Sequence, residues 1–205
     1  QLQKIRIKTD DDNMIQFYTA MYHSMLGPTL FSDNTGEYKG ADGEIHQVTD
    51  HERYTSFSLW DTYRALHPLA TILHPARTVD FIKSMLDHYD ETGLLPVWDL
   101  LGNETNMMIG YHAVPVMADA ILKGLDGLDV QKAYEAMKAS AMHDQQGLKS
   151  YKKRGYVSQE VRNWNVSLTL EYAFDDWCIA QISKKLGQEE EYNYFIKRSQ
   201  NYRNH

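Results

Sequence analysis

The sequence predicts an all-α protein, and three observations predict it. Apolar residues recur three to four apart through segments of helical length. Residues that start and stop helices stand at the ends of those segments, among them Gly27-Pro28, Gly93, Asp129 and Gly187. No strand alternation of comparable length appears between them.

The elements follow in order. Residues 12–26 place Ile15, Tyr18, Tyr22 and Met25 on one helical face, and Gly27-Pro28 ends the run. Residues 29–55 hold Gly36, Gly40 and Gly43 among acidic residues and read as a long loop with room for a short hairpin, and a loop of that length tends to carry function or to be disordered. Residues 57–66 read as a short helix stopped near Pro68. Pro75 suits the first position of the next helix, which carries Val79, Ile82, Met85, Leu86 and Tyr89 on one face before Gly93. The stretch GLLPVWDLLGNETN reads as a loop entering a helix over 107–123, with Pro115 kinking it or breaking its first turn. Asp129 caps a helix over 130–142. Residues 146–164 read as irregular. A long helix follows over 166–186, and a last one from 188 sets Tyr192, Phe195, Ile196 and Ser199 on one side. Helical hairpins in series build a bundle, a solenoid or a toroidal barrel. The lack of a fixed-period repeat argues against the solenoid, and periodicity does not separate the other two.

The 205 residues suffice for one domain, and a net charge of −7 disfavours nucleic acid, whose phosphates it would repel. Lys152, Lys153 and Arg154 form one short basic run that reads as a solvated turn. No apolar run approaches the ~20 residues of a membrane span. No secretory leader is read in QLQKIRIKTDDD, which has no apolar stretch behind its basic residues. The single Cys178 excludes an internal disulfide framework and falls in an apolar helical stretch, as a buried inert thiol does.

Four places hold polar chemistry. Asp61, beside Trp60, could bind vicinal sugar hydroxyls while the indole covers an apolar sugar face, or it could act as a cap or pair with Arg64; the residues alone favour this plainer use. Asn103, Glu104, Thr105 and Asn106 crowd at the mouth of a helix, where they could hold a substrate or cation or compensate the helix dipole. Glu171 and Asp175 lie one turn apart beside Asp176, and such carboxylates repel unless protonated, cation-bound or solvated. The plain reading leaves one of them exposed and gives another an Arg or a backbone N–H. The histidines show no zinc spacing; His112, on the helix behind Asn106, could reach the same pocket, and a satisfied core histidine is the default for each. No phosphate-binding loop, dinucleotide fingerprint or nucleophile elbow is present.

The strings FYTAMYHSMLGPTLFSD, YTSFSLWDTYRALHPL, DETGLLPVWDLLGNETNMMIGYHAVPVMADAILKG and VSLTLEYAFDDWCIAQISKKLG, with FIKRSQNYRN at the end, resemble glycoside hydrolase family 92 in that family's order. The resemblance covers nearly the whole chain from about residue 11. It implies a calcium-dependent, inverting exo-α-mannosidase built from an N-terminal β-sandwich and an (α/α)6 toroidal barrel. Residues 1–205 would be the first half of that barrel, without the sandwich and the second half. It implies that Asp61 binds the terminal mannose and that Trp60, Asn103, Glu104, Asn106 and His112 line or shape the pocket. Glu171, Asp175 and Asp176 would be structural or would support the residues that line the pocket. The family's catalytic acid, a Glu in a Thr-Glu-Gly-Asn motif, and its base, a later Asp, are expected downstream, and neither motif occurs here. No metal ligand is assigned. The implied partners are mannose-containing glycans and the remainder of the same polypeptide, in an extracytoplasmic setting, and the 205 residues alone would be inactive. Half a toroid would also leave apolar helix faces unpaired. Two rivals stay open: a non-catalytic helical carbohydrate-binding or interaction module, and an (α/α) barrel hydrolase or lyase acting on another sugar.

Overall fold

The computed structural model describes residues 1–204 and is mostly helical. Nine α-helices are described: α1 (Asp11–His23), α2 (Leu59–Thr62), α3 (Leu66–Leu73), α4 (Pro75–Thr92), α5 (Ala113–Leu122), α6 (Val130–Met142), α7 (Leu148–Arg154), α8 (Asn165–Lys185) and α9 (Glu189–Arg198). Short 3-10 turns stand at Leu2–Lys4 and Ser199–Asn204.

The caps explain the boundaries. Asp10 accepts the Asn13 amide at 2.9 Å to open α1, and Asp129 does the same for Lys132 at 2.9 Å in α6. Pro75 opens α4, and Gly93 closes it in the left-handed conformation. Three acidic residues open α9 and Lys197 and Arg198 close it, matching its dipole.

Seven short strands add three small antiparallel sheets: β1 (Thr29–Leu30) with β4 (Tyr54–Thr55), the hairpin β2 (Glu37–Lys39) with β3 (Ile45–Gln47), and β5 (Phe57–Ser58) with β6 (Trp98–Leu100) and β7 (Asn103–Glu104). The 29–55 segment is thus a loop tied at its ends by β1–β4 and folded at its middle into a hairpin. Leu101 and Gly102, both at positive φ, make the two-residue turn between β6 and β7. A Cβ at Gly102 would meet the Phe31 ring at 2.7 Å, so glycine is required there for space as well as for conformation.

Several expected boundaries are corrected. Helix α1 stops at His23, and of its residues Met21 is the one fully buried, while Ile15 and Tyr22 face outward. Pro68 begins a helix rather than stopping one: it lies in the first turn of α3, where its missing N–H is harmless. The expected 107–123 helix starts only at Ala113, which puts Pro115 in its first turn and needs no kink. Residues 146–164 contain α7, whose last turn holds Lys152, Lys153 and Arg154 against the helix C-terminus.

The core is built around α5 and α8. Helix α5 is buried along almost its whole length, and α8 packs against α5, α6 and α9. Ala113, Ala120, Ala133, Ala136 and Ala180 are fully buried and let these helices approach closely. Cys178 is a buried free thiol whose pKa is pushed up by burial. Helix α8 is apolar on two sides. Leu168, Ile179 and Ile182 face the core, whereas Val166, Leu170, Phe174 and Trp177 form an exposed stripe down the opposite side. A helix with apolar residues on two opposite sides is one meant to be covered on both.

Candidate functional site

Helix α2 is a single turn between β5 and α3, and it carries Trp60 and Asp61. Positions three apart share a helix face, so Trp60 and Tyr63 project the same way. Both meet Glu171 of α8. The Trp60 indole N–H donates to Oε1 at 3.2 Å and the Tyr63 hydroxyl to Oε2 at 2.8 Å. Arg64 Nη2 donates to Oε1 at 2.7 Å and Nε donates to the Tyr63 hydroxyl at 2.7 Å. Burial opposes the charge of Glu171, but Tyr63, His112, Trp60 and Arg64 outweigh it and hold its carboxyl below the ordinary value.

His112 connects this cluster to the core. It stands at the start of α5 with its ring stacked on Tyr63, the centroids 4.1 Å apart and the planes 15° off parallel. Its Nε2 lies 3.3 Å from Glu171 Oε2, and its Nδ1 bonds Asp175 Oδ1 at 2.7 Å. The other oxygen of Asp175 accepts the Tyr111 amide at 2.8 Å. Asp175 is fully buried, and burial pushes its pKa up against the opposing pull of His112. Gly110 lets the chain pass over the imidazole, since a Cβ there would lie 2.2 Å from Nε2.

Asp176, on the same helix, faces a different set of donors. Its oxygens accept Arg198 Nε at 2.6 Å and the hydroxyls of Tyr111 at 2.7 Å and Tyr151 at 3.0 Å. The expectation that one of the three carboxylates stays exposed holds only in part, since Glu171 keeps some access to solvent. Both aspartates are fully buried, and the expected partners, a backbone N–H and an Arg, serve one each.

Of the residues singled out from the sequence, Trp60 and His112 converge on Glu171. Asp61 sits beside them on the exposed side of α2, accepting a bond from the Ser58 hydroxyl, and Arg64 goes to Glu171 rather than to Asp61. Glu104 is engaged by its own turn: it accepts the amides of Val97 at 2.7 Å, Trp98 at 3.1 Å and Asn106 at 2.6 Å. Asn103 donates to the Leu101 carbonyl, and Asn106 accepts from Gln146 at 3.2 Å. Sequence reasoning missed Tyr63 as a member of the cluster and Glu171 as its centre. The available signal was the three-residue spacing of Trp60 and Tyr63 on one short turn.

The described residues do not by themselves assemble an acidic cage for the calcium that the resemblance implies. Among the described residues, no group of three or more His, Cys, Asp or Glu side chains is placed to hold a metal ion. The carboxylates of Glu104, Glu171, Asp175 and Asp176 are already occupied by the donors above.

A groove of about 410 Å³ opens beside the cluster, lined by Tyr63, Arg64, Pro68, Phe174 and Trp177 among others. No helix among the described residues is long and apolar enough to cross a membrane.

Known proteins similar to this chain share its overall fold. The profile of the glycosyl hydrolase family 92 catalytic domain matches residues 1–205. A family GH92 α-mannosidase of Bacteroides thetaiotaomicron is 46% identical and superposes with a TM-score of 0.96 over 98% of this chain and 28% of its own; a structure of the same enzyme contains mannoimidazole. An inverting family GH92 mannosidase of the same species is 32% identical, with a TM-score of 0.90 over 99% of this chain and 29% of its own. An uncharacterized secreted glycosidase of the fungus Arthroderma benhamiae is 31% identical over 92% of this chain and 22% of that protein. The chain thus spans under a third of the length of each of these relatives.

Proposed function

The chain belongs to glycosyl hydrolase family 92, and from that premise we propose that it is the sugar-binding part of a longer, inverting exo-α-mannosidase that removes terminal mannose from glycans. The observation that carries the reading is its likeness, over 98% of its length, to an α-mannosidase also seen with mannoimidazole bound. In this reading Asp61 takes hydroxyls of the terminal mannose. It is exposed at the rim of the cluster, and the Trp60 ring beside it offers an apolar face to the sugar.

Inverting hydrolysis needs a general acid and a general base whose carboxyl groups stand ~6.5–9.5 Å apart, with room for water. Glu104 and Glu171 are poor candidates because backbone and side-chain donors already take their oxygens. Asp175 is sealed in the core. We assign the acid, the base and any calcium ligands to the rest of the longer protein. In this reading the rest of the longer protein covers the Val166–Leu170–Phe174–Trp177 stripe and completes the (α/α)6 toroid. The extracytoplasmic setting is supported by the fungal relative's description as secreted.

The test is mannose release from a panel of α-mannobioses by the full-length protein, with calcium and with a chelator. Calcium-dependent release of β-mannose is expected, together with no release by the 205-residue chain. Failure on every linkage with mannoimidazole still bound would turn the reading into a non-catalytic sugar-binding module. Release from glucosides or uronides in place of mannosides would make it a hydrolase or lyase of another sugar.

A further inference from the structure

We infer that Glu171 is a positioning residue for the sugar site: its carboxylate fixes the orientation of the Trp60 indole, and through it the direction in which Asp61 faces a ligand. The inference rests on the reading of Trp60 and Asp61 given above and concerns a residue that this reading leaves unused.

Helix α2 cannot hold its own geometry. It is four residues long, and a single turn fixes many dihedrals for very few hydrogen bonds. The partner of Asp61 is Ser58, on the same turn, so that bond does not tie α2 to the rest of the molecule. Leu59 anchors the turn in the core, and Glu171 supplies its polar tie. Trp60 and Tyr63 donate to its two different oxygens, and two anchors on two oxygens stop the turn from rotating about either one. Arg64 adds a third donor to Oε1. Successive residues of a helix point about 100° apart. Pinning Trp60 toward Glu171 therefore leaves Asp61 directed away from it, where it is exposed.

Glu171 is itself well braced. It lies on the longest helix, with His112 3.3 Å from Oε2 and Asp175 holding the far side of that imidazole at 2.7 Å. The Tyr63 ring lies flat on the His112 ring. The contacts from core to rim run Asp175, His112, Glu171, Trp60, with a hydrogen bond at the first and last steps and a 3.3 Å contact between His112 and Glu171. These residues come from α8, α5 and α2, so the orientation of a rim residue is set by the packing of two core helices.

The experiment measures mannoimidazole affinity by calorimetry and hydrolysis kinetics on the full-length protein. Its variants are Glu171→Ala, Glu171→Gln, Trp60→Phe, the Trp60→Phe/Glu171→Ala double variant, Asp61→Ala and Ser183→Ala. Misplacing a group in an active site by an ångström can cost on the order of a hundredfold in rate, so Glu171→Ala should lower kcat/KM by roughly ten- to a hundredfold and weaken mannoimidazole binding with it. Glu171→Gln keeps an acceptor oxygen and should recover part of the loss. Trp60→Phe keeps the ring and removes the N–H, so its loss and that of Glu171→Ala should overlap in the double variant instead of multiplying. Ser183→Ala loosens the same helix where it meets Tyr134, and it should lower thermal stability with affinity intact.

Unchanged affinity in Glu171→Ala overturns the inference, as do losses that simply multiply in the double variant. A loss in Ser183→Ala equal to that of Glu171→Ala also overturns it, because general loosening would then explain both. Normal binding by Asp61→Ala overturns the assignment of Asp61 itself, while the Trp60–Glu171 coupling still decides the positioning role separately.

Discussion

Glu171 and Asp176 stand five positions apart on one helix and gather nearly the same chemistry, an arginine and tyrosine hydroxyls. Their surroundings differ. The Arg64 side chain is 61% exposed and that of Glu171 14%, whereas Arg198 is 5% exposed and Asp176 fully buried. An ion pair near water contributes little, because solvent screens it and hydrates either partner when the other leaves. In a buried pair each charge depends on the other, and removing one strands its partner in a low-dielectric core. Asp176 is thus a stability element that ties α8 to the end of α9, and Glu171 is left free to act on orientation.

That contrast can be broken by measurement, beginning with its largest consequence. Asp176→Ala should cost about 3–5 kcal/mol in urea unfolding, since Arg198 is left buried without its carboxylate. A loss below about 1 kcal/mol would remove the distinction between the two sites.

His67 sharpens the contrast from the opposite side, as a buried polar group whose ring nitrogens have no hydrogen-bond partner among the described residues. It packs between Phe57 and Phe81, and burial pushes its pKa down to about 4 from 6.5. Above pH 6.5 it is neutral in both the folded and the unfolded chain. As pH falls from 6.5 toward 4 the unfolded chain takes up the proton first, so stability is lost across that window, by ~3 kcal/mol at full extent. His67→Phe should flatten that part of the stability–pH curve; an unchanged curve would place the acid sensitivity elsewhere.

Glu104→Ala should cost about 2 kcal/mol by leaving three backbone amides without their acceptor, with mannoimidazole affinity unchanged. A large affinity loss at normal stability would move Glu104 into the sugar site. The smallest stability effect is expected for Glu171→Gln, about 1 kcal/mol or less, even though it weakens binding measurably. A stability loss matching that of Asp176→Ala would make Glu171 a second structural pin.

Much of the fold was legible because its signals are local. The spans of α4, α6 and α8 follow from periodicity bounded by Pro75 and Gly93, by Asp129, and by Gly187. Local chemistry misled where tertiary context chose between two allowed uses of one residue. Pro68 can stop a helix or start one, and the way α3 continues from it decided for starting. The two- and three-residue strands carry too few positions to show alternation, and only their pairing with distant segments defines them.

The sequence by itself determined the helical class, most of the long helices, the family resemblance and the interest of Trp60, Asp61 and His112. It could not show that Glu171 stands at the centre of the cluster, because Trp60, Tyr63 and Arg64 lie 111, 108 and 107 residues before it. Nor could it tell Glu171 from Asp176, which share a helix and similar neighbours along the chain. The difference between them is burial, and burial is settled only when α2, α5 and α9 close around α8 and leave one carboxylate near water and the other without it.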